Sequence, residues 1–253
     1  MALSPHNSLS EQGFTPEMAD NANMIPYIYE GKNSNGTLPY RQLVTGAERE
    51  GDFSLLIFFH GAGSVGEDNF LQTRIFGPPL LRFFAAHPEF SKCVTLMPQC
   101  RKEHKWVDVP WTLPEHALPE EPSMHMKLTM ELLEEKKKEF SIRSENCFAA
   151  GISMGGFAVW DLASRMPEEF AGLFVMCGGG DVAQAPKLVN YRIFCIHGGD
   201  DGVVLTKRSQ DMVKALKEAG CGSIIYEELP GIQHNCWDDA LKDDRAFLHI
   251  FRG

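Results

Sequence analysis

Ser153 stands in the segment GISMGG, residues 151–156, with one glycine two places before it and another two places after it. The segment follows an apolar run that is typical of a buried strand and precedes a run with helical spacing. Glycines at these two positions permit a sharp turn from strand to helix, which lifts the serine hydroxyl out of the sheet. The pattern predicts a nucleophilic serine at the start of a helix, and the alternative is a tight glycine turn with a capping serine.

A serine hydroxyl is a weak nucleophile, so it needs a basic histidine that a carboxylate holds in position. Among nine histidines, His234 comes directly after the last predicted strand. Functional groups of a parallel sheet gather at the carboxyl ends of its strands, so we expect His234 to be the base. The acid is expected between serine and histidine, just past a strand, where Asp200 and Asp201 are adjacent. Their position alone does not separate these two aspartates.

Negative charge that develops on a substrate carbonyl needs backbone N–H donors, each worth roughly 3 kcal/mol in the transition state. The strand around residues 53–59 ends in the glycine-rich turn HGAG, residues 60–63. We expect an N–H group of this turn and that of Met154, directly after the serine, to form the oxyanion hole. A phosphate-binding loop is the alternative, but the segment lacks the lysine and the glycine spacing that such loops need.

The chain has 253 residues, of which 43% are apolar and 23% charged, and a formal net charge of −10. This composition excludes a disordered chain. The lack of a large cluster of basic residues argues against a nucleic-acid partner. The longest apolar stretch, residues 53–59, is too short to cross a bilayer, so we expect no membrane partner.

Seven cysteines are scattered singly, with no CxxC pair and no cysteine–histidine cluster at zinc-ligand spacing, so we expect no metal. This usage fits a reducing compartment. Residues 1–20 lack the apolar core and cationic start of a signal peptide. Cytoplasmic localisation is therefore expected, with secretion as the alternative if a leader has been removed.

The serine, acid and base are expected on an α/β framework. Strand patterns cover residues 25–30, 38–45, 53–59, 93–97, 146–150, 172–177, 191–196 and 223–229, and helical patterns cover 68–86, 123–139, 155–165, 206–219 and 236–250. The first two strands, joined by residues 33–36 (NSNG), predict an antiparallel hairpin. From residue 53 onward, strand and helix alternate, which predicts a mainly parallel sheet with helices on both faces. We expect an extended or poorly ordered arm at 1–23 and one domain at 24–253.

Two connections between the predicted strands have contrasting lengths. Residues 98–122 form a long proline-rich segment without periodicity, a type of loop that is usually functional. Residues 178–190 are too few for a cap domain. We expect Trp106, Trp111 and Trp237 to offer aromatic surface to a phenolic acyl group or a sugar ring, although ordinary packing is the commoner role of a tryptophan. Gln99, at the end of the fourth strand, is expected to line the site.

Several stretches in the same order resemble α/β-hydrolase serine esterases, in the group that includes predicted peptidases, dienelactone-hydrolase-like esterases, and feruloyl and acetyl-xylan esterases. The matching stretches are FHGAG at 59–63, MPQC at 97–100, GISMGGFAVWD at 151–161, CGGGD at 177–181, HGGDDGVV at 197–204 and GIQHNCW at 231–237. The family pattern H-G-x-x-D-x-x-V falls on Asp201, so the resemblance implies Asp201 as the acid. It also implies Ala62 and Met154 as the oxyanion donors. The chain departs from the family at Leu205, where proline is usual, and at Ser64, where glutamate is frequent.

The resemblance implies an α/β-hydrolase fold with a mainly parallel sheet of about eight strands and no large cap domain. It implies a serine carboxylic-ester hydrolase without a cofactor that works through an acyl-enzyme. The substrate would be a small-molecule or oligosaccharide ester with a short-chain or hydroxycinnamoyl acyl group, such as a feruloyl or acetyl ester of a plant polysaccharide. A serine peptidase of the same fold and a non-catalytic ligand-binding protein are the alternatives.

Overall fold

The computed structural model describes residues 14–252, in which eight strands form one sheet. The strands are β1 (Met24–Glu30), β2 (Thr37–Thr45), β3 (Ser54–Phe59), β4 (Cys93–Pro98), β5 (Cys147–Ile152), β6 (Gly172–Met176), β7 (Arg192–Gly198) and β8 (Ile224–Leu229). The helices are α1 (Pro16–Asn21), α2 (Gly77–Ala86), α3 (Met124–Glu139), α4 (Met154–Arg165), α5 (Lys207–Glu218), α6 (Trp237–Ala240) and α7 (Arg245–Phe251).

The strand order across the sheet is β1-β2-β4-β3-β5-β6-β7-β8. β1 with β2 and β2 with β4 are antiparallel pairs, whereas every other pair is parallel. The predicted hairpin and the predicted mainly parallel sheet are therefore confirmed. In the register of β3 with β5, Phe59 lies opposite Gly151. This register brings the turn after β3 next to the turn that carries Ser153.

The central strands are apolar on both faces because helices cover both sides of the sheet. In β3, Leu55, Ile57 and Phe59 point into one core, while Leu56 and Phe58 point into the other. Helices α3, α4 and α5 pack on the first side, and α1, α2 and α7 pack on the second. The sheet is thus held rigidly, and the loops at the carboxyl ends of its parallel strands have a fixed support.

Two predicted helices differ from those of the structure. The pattern at 68–86 becomes a helix only at Gly77, because the Asp68 carboxylate accepts the N–H groups of Phe70 and Leu71, both at 2.7 Å, and closes a turn instead. Asn69 adopts a positive φ of 51° there, which a helix does not allow. The pattern at 236–250 is divided into the short helices α6 and α7.

The predicted arm at 1–23 is wrong for residues 14–23, while residues 1–13 lie outside the described part of the chain. The Thr15 side chain caps α1 by accepting the Met18 N–H at 3.2 Å. Ala19 is fully buried in the second core, and Asp20 pairs with Arg41 at 2.6 Å. A short amphipathic helix with a cap and two anchors therefore replaces the expected extended chain.

The long segment between β4 and α3 is tied to the rest of the molecule by polar contacts. Arg208 donates to the Leu113 carbonyl at 2.7 Å, and the Asp181 carboxylate accepts the Leu118 N–H at 2.9 Å. Between β6 and β7 the chain forms only a 3-10 helix, Val182–Lys187. No helix within residues 14–252 has the length and apolar character needed to span a bilayer.

Candidate active site

Ser153 lies in the tight turn between β5 and α4 with φ 55° and ψ −118°. A positive φ is uncommon for a residue with a side chain and costs about 1–3 kcal/mol, and such strain concentrates at active sites. The Ser153 N–H donates to the Met176 carbonyl at 2.8 Å, which helps to hold the turn. A Cβ on Gly151 would collide with the Gly155 carbonyl oxygen, and a Cβ on Gly155 would collide with that of Phe59. Both glycines are therefore needed for the turn that the sequence predicts.

The structure brings together the predicted nucleophile, base and acid. Ser153 Oγ lies 2.8 Å from His234 Nε2, and His234 Nδ1 lies 2.7 Å from Asp201 Oδ2. A Cβ on Gly198 would collide with the Gln233 carbonyl oxygen. Glycine at the end of β7 therefore lets the loop that carries His234 pack directly against this strand end. Asp200 is exposed, and its carboxylate takes no part in this chain of hydrogen bonds. The geometry thus separates the two adjacent aspartates.

Asp201 is fully satisfied as a hydrogen-bond acceptor. Its Oδ1 accepts the N–H groups of Val203 and Val204 at 2.8 and 3.0 Å, while its Oδ2 faces His234 and His197. Burial raises the pKa of this carboxyl, but the hydrogen bonds from the two histidines outweigh burial and hold the pKa well below its usual range. Asp201 is therefore an anion that can orient and stabilise a protonated His234.

His197 is a second donor to the acid, and its position in the sequence indicates no role for it beyond its place in a motif. The ring is fully buried, and its Nε2 lies 3.1 Å from Asp201 Oδ2 and 2.9 Å from the Val204 carbonyl. Both neighbours are acceptors, so Nε2 must carry a proton. His197 lies four residues before Asp201, across the end of β7, and this spacing is the sequence feature that could have indicated their hydrogen bond.

The turn after β3 lies against the nucleophile, since a Cβ on Gly61 would be 3.5 Å from Ser153 Cβ. The Gly61 carbonyl accepts from His60 Nδ1 at 2.7 Å and from the Ser64 N–H at 3.1 Å. Because a peptide unit is planar and trans, the N–H of Ala62 points away from these donors. No hydrogen bond within residues 14–252 uses the N–H of Ala62 or Met154. Both N–H groups are thus without a protein acceptor in the described part of the chain.

His60 fixes the orientation of that peptide unit. Its Nε2 accepts the Cys100 N–H at 2.9 Å, so its Nδ1 carries the proton that is donated to Gly61. Burial lowers the pKa of His60 to about 4, and the ring is neutral at neutral pH. The Trp106 indole donates to the His60 carbonyl at 3.1 Å. The two rings together hold the turn in one conformation.

Two residues that were expected to touch the substrate support the site from inside instead. Trp106 and Gln99 are both fully buried. Gln99 accepts the Asn69 N–H at 2.7 Å and donates to the Ser64 carbonyl at 3.1 Å, so it anchors the end of the turn. The prediction that Trp106 and Gln99 contact the substrate is therefore wrong, because a side chain without exposed surface cannot reach a ligand.

The other two tryptophans keep some exposed surface. The Trp237 ring stands perpendicular to the His234 ring, with centroids 5.5 Å apart, so it flanks the base. The Trp111 ring lies on the long loop, with the Lys105 ammonium 4.7 Å from its centroid. Of the predicted aromatic contacts, Trp237 is placed at the site itself.

Comparisons with known proteins identify the family to which the chain belongs. Residues 42–252 match the model of a family described as phospholipase/carboxylesterase. A search of curated proteins found no match. A thermostable esterase of known structure is 26% identical, with a TM-score of 0.79 over 90% of this chain and 62% of that chain. The present chain thus spans less than two thirds of that esterase.

Two further structures share the fold at lower identity. A fluorophosphonate-binding serine hydrolase of Staphylococcus aureus is 15% identical, with a TM-score of 0.63 over 90% of this chain and 98% of that chain. A ferulic acid esterase of the anaerobic fungus Anaeromyces mucronatus is 14% identical, with a TM-score of 0.62 over 90% of this chain and 88% of that chain. With the family match covering most of its length, the chain has the α/β-hydrolase fold and belongs to the phospholipase/carboxylesterase family.

Proposed function

We propose that the protein is a serine carboxylic-ester hydrolase with Ser153 as nucleophile, His234 as base and Asp201 as acid. The observation that carries the proposal is the continuous hydrogen-bonded chain of 2.8 and 2.7 Å from the Ser153 hydroxyl to the Asp201 carboxylate. The strained backbone of Ser153 supports it, because such strain is retained where function needs it. Ester hydrolysis also agrees with the carboxylesterase family match.

In the proposed reaction, Ser153 Oγ attacks the ester carbonyl carbon while His234 Nε2 takes the hydroxyl proton. The carbonyl oxygen becomes negative and receives hydrogen bonds from the N–H groups of Ala62 and Met154, each worth roughly 3 kcal/mol. His234 then gives its proton to the leaving alcohol, and an acyl-enzyme remains. Water attacks this ester with His234 again as the base, which releases the acid and restores the serine.

The proposed substrates are short-chain or hydroxycinnamoyl esters, including feruloyl or acetyl esters of plant polysaccharides. Trp237 beside the base and the half-buried Trp111 offer flat apolar surface to an aromatic acyl group or a sugar. The anchored loop between β4 and α3 and the short connection between β6 and β7 argue against a moving lid or a long acyl tunnel. Activity should fall steeply for chains of about twelve carbons, because added methylenes would stay in water.

A fluorophosphonate probe tests the nucleophile directly. The wild-type chain should be labelled, and Ser153→Ala should not be labelled. Label on the variant would contradict the assignment, whereas an unlabelled wild-type chain would favour a non-catalytic ligand-binding protein.

A hydrolysis panel tests the substrate class. Acetyl, butyryl and feruloyl esters should be hydrolysed faster than a peptide anilide and faster than long-chain esters. A preference for the anilide would indicate a peptidase. A preference for long-chain esters that increases at a lipid–water interface would indicate a lid.

A further inference from the structure

Cys177 lies beside the acid and the base, although the proposed reaction does not use it. It follows β6 directly with φ 42°, and its N–H donates to the Ile196 carbonyl at 2.9 Å. Its thiol sulfur, a carboxylate oxygen of Asp201 and a ring nitrogen of His234 all lie within 4.8 Å of one another. The three residues are far apart in sequence, so no ligand spacing in the sequence indicates this cluster.

We propose that Cys177, Asp201 and His234 form an inhibitory binding site for a soft divalent cation such as Zn²⁺ or Cd²⁺. Thiolate, imidazole and carboxylate are ligands that zinc takes in proteins, at about 2.3 Å for sulfur and about 2.0–2.2 Å for nitrogen and oxygen. Tetrahedral geometry with these bond lengths separates two ligand atoms by roughly 3.3–3.7 Å. The three ligand atoms of the cluster lie within 4.8 Å of one another, so the sulfur has to approach the other two atoms by at most about 1.5 Å. The His234–Asp201 pair, at 2.7 Å, has to open by about half an ångström.

The charges of this ligand set suit a buried cation. One thiolate and one carboxylate cancel the two positive charges, and a neutral imidazole adds none, so the filled site has no net charge. Binding replaces the thiol proton of Cys177, which is released to solvent, and a cation on His234 Nδ1 moves the proton of that nitrogen to Nε2, so the ring stays neutral. Cys236, two residues after the base and fully buried, places a second thiol next to that of Cys177. The surroundings of the cluster therefore also favour a soft cation.

An occupied site would block the proposed reaction because the cation coordinates a ring nitrogen of His234 and a carboxylate oxygen of Asp201. The hydrogen bond between these two residues, which orients His234, is then lost. Asp201 and Cys177 have no exposed side-chain surface, whereas the His234 side chain is 20% exposed and gives the cluster its opening to solvent. Inhibition rests on the proposed function, but cation binding does not. The test therefore reads binding and activity separately.

Binding is measured with Cd²⁺ through the ultraviolet charge-transfer absorption of a thiolate–cadmium bond. The wild-type chain should bind one Cd²⁺ through a thiolate, and Ser153→Ala should bind it equally well because all three ligands remain. Cys177→Ala should lose the absorption, whereas Cys221→Ala, which removes a buried thiol elsewhere, should retain it. Cys177→Ser, which keeps nearly the same size, serves if the alanine variant does not fold. Full absorption in a folded Cys177 variant would overturn the proposal.

Activity is measured with Zn²⁺ on a short-chain ester. Cys177→Ala should keep its basal rate but need at least about tenfold more Zn²⁺ for half inhibition, and a chelator should restore the wild-type rate. Equal inhibition of both forms would overturn the proposed site. A chain that hydrolyses no ester but binds Cd²⁺ through Cys177 would contradict the proposed function and leave the cation site standing.

Discussion

Asp200 and Asp201 are adjacent in the chain but lie in different surroundings. Asp201 is buried and receives hydrogen bonds from His197 and His234, whereas Asp200 is exposed. We expect Asp201→Asn to lower kcat on the order of 10³–10⁴-fold, because an amide stabilises neither the required His234 tautomer nor its protonated form. Asp200→Asn is the matched control and should change kcat little. Steady-state kinetics of both variants check this, and a reversed pattern would make Asp200 the acid.

His197 should matter for turnover although it lies too deep to touch a substrate. Removing its hydrogen bond to the Asp201 carboxylate costs about 1.5–3 kcal/mol of stabilisation, or roughly 10- to 100-fold in rate. We therefore expect His197→Leu to lower kcat by that factor with little change in KM. His197→Gln, which keeps an N–H donor, should recover part of the rate. If both variants lose the same activity, the ring acts only through packing.

At the scale of elements, the contact between α4 and β3 positions nucleophile and oxyanion turn together. A Cβ on Gly155 would collide with the Phe59 carbonyl oxygen, and neither backbone can move without shifting Ser153. Gly155→Ala should destabilise the fold by roughly 3 kcal/mol and reduce activity strongly. Gly63→Ala is the matched control, since nothing lies within 4 Å of its added Cβ. Urea unfolding and ester hydrolysis measure both effects, and equal stability of the two variants would contradict this explanation.

The sheet could be predicted from sequence because each strand is a short apolar run between polar turns, a local signal. The helical prediction at 68–86 failed at its start because the Asp68 carboxylate accepts backbone N–H groups in a turn that competes with a helix, and Asn69 adopts a positive φ there. The helix within 14–23 was missed because Ala19 is its one buried residue, and a single residue packed in the second core leaves no periodic pattern in the sequence.

The proposed catalytic residues could be predicted because each follows a strand that ends at the same edge of the sheet. The roles of Gln99 and Trp106 could not be predicted, because residue type does not reveal whether a side chain near this edge points outward or inward. Both turn inward and hydrogen-bond to the backbone of the oxyanion turn. Packing against other elements decides that direction, and it has no local pattern.

At the scale of the whole molecule, three histidines are neutral in the folded state, namely the buried His60 and His125 and the half-buried His116. Burial lowers the pKa of His60, His116 and His125 to about 4, and the neighbouring Arg208 and His104 lower those of the last two further. In the unfolded chain the pKa of each of these rings returns to about 6.5. Between pH 6.5 and 4 the unfolded chain therefore binds more protons, so stability falls as pH falls through this window. Above pH 6.5 the contribution is fully present, and for the fully buried His60 it is on the order of 3 kcal/mol.

The free energy of unfolding in urea, measured from pH 7.5 to 4.5, should therefore decline well before most carboxylates take up protons. His125→Gln tests one ring separately, because glutamine can still accept the Arg101 N–H that now reaches His125 Nε2 at 3.3 Å but cannot titrate. The variant should show a shallower decline, by up to about 1.4 kcal/mol per pH unit, which is the slope of one proton. Curves of wild type and variant that run parallel across this window would show that His125 takes up its proton in the folded chain as readily as in the unfolded one.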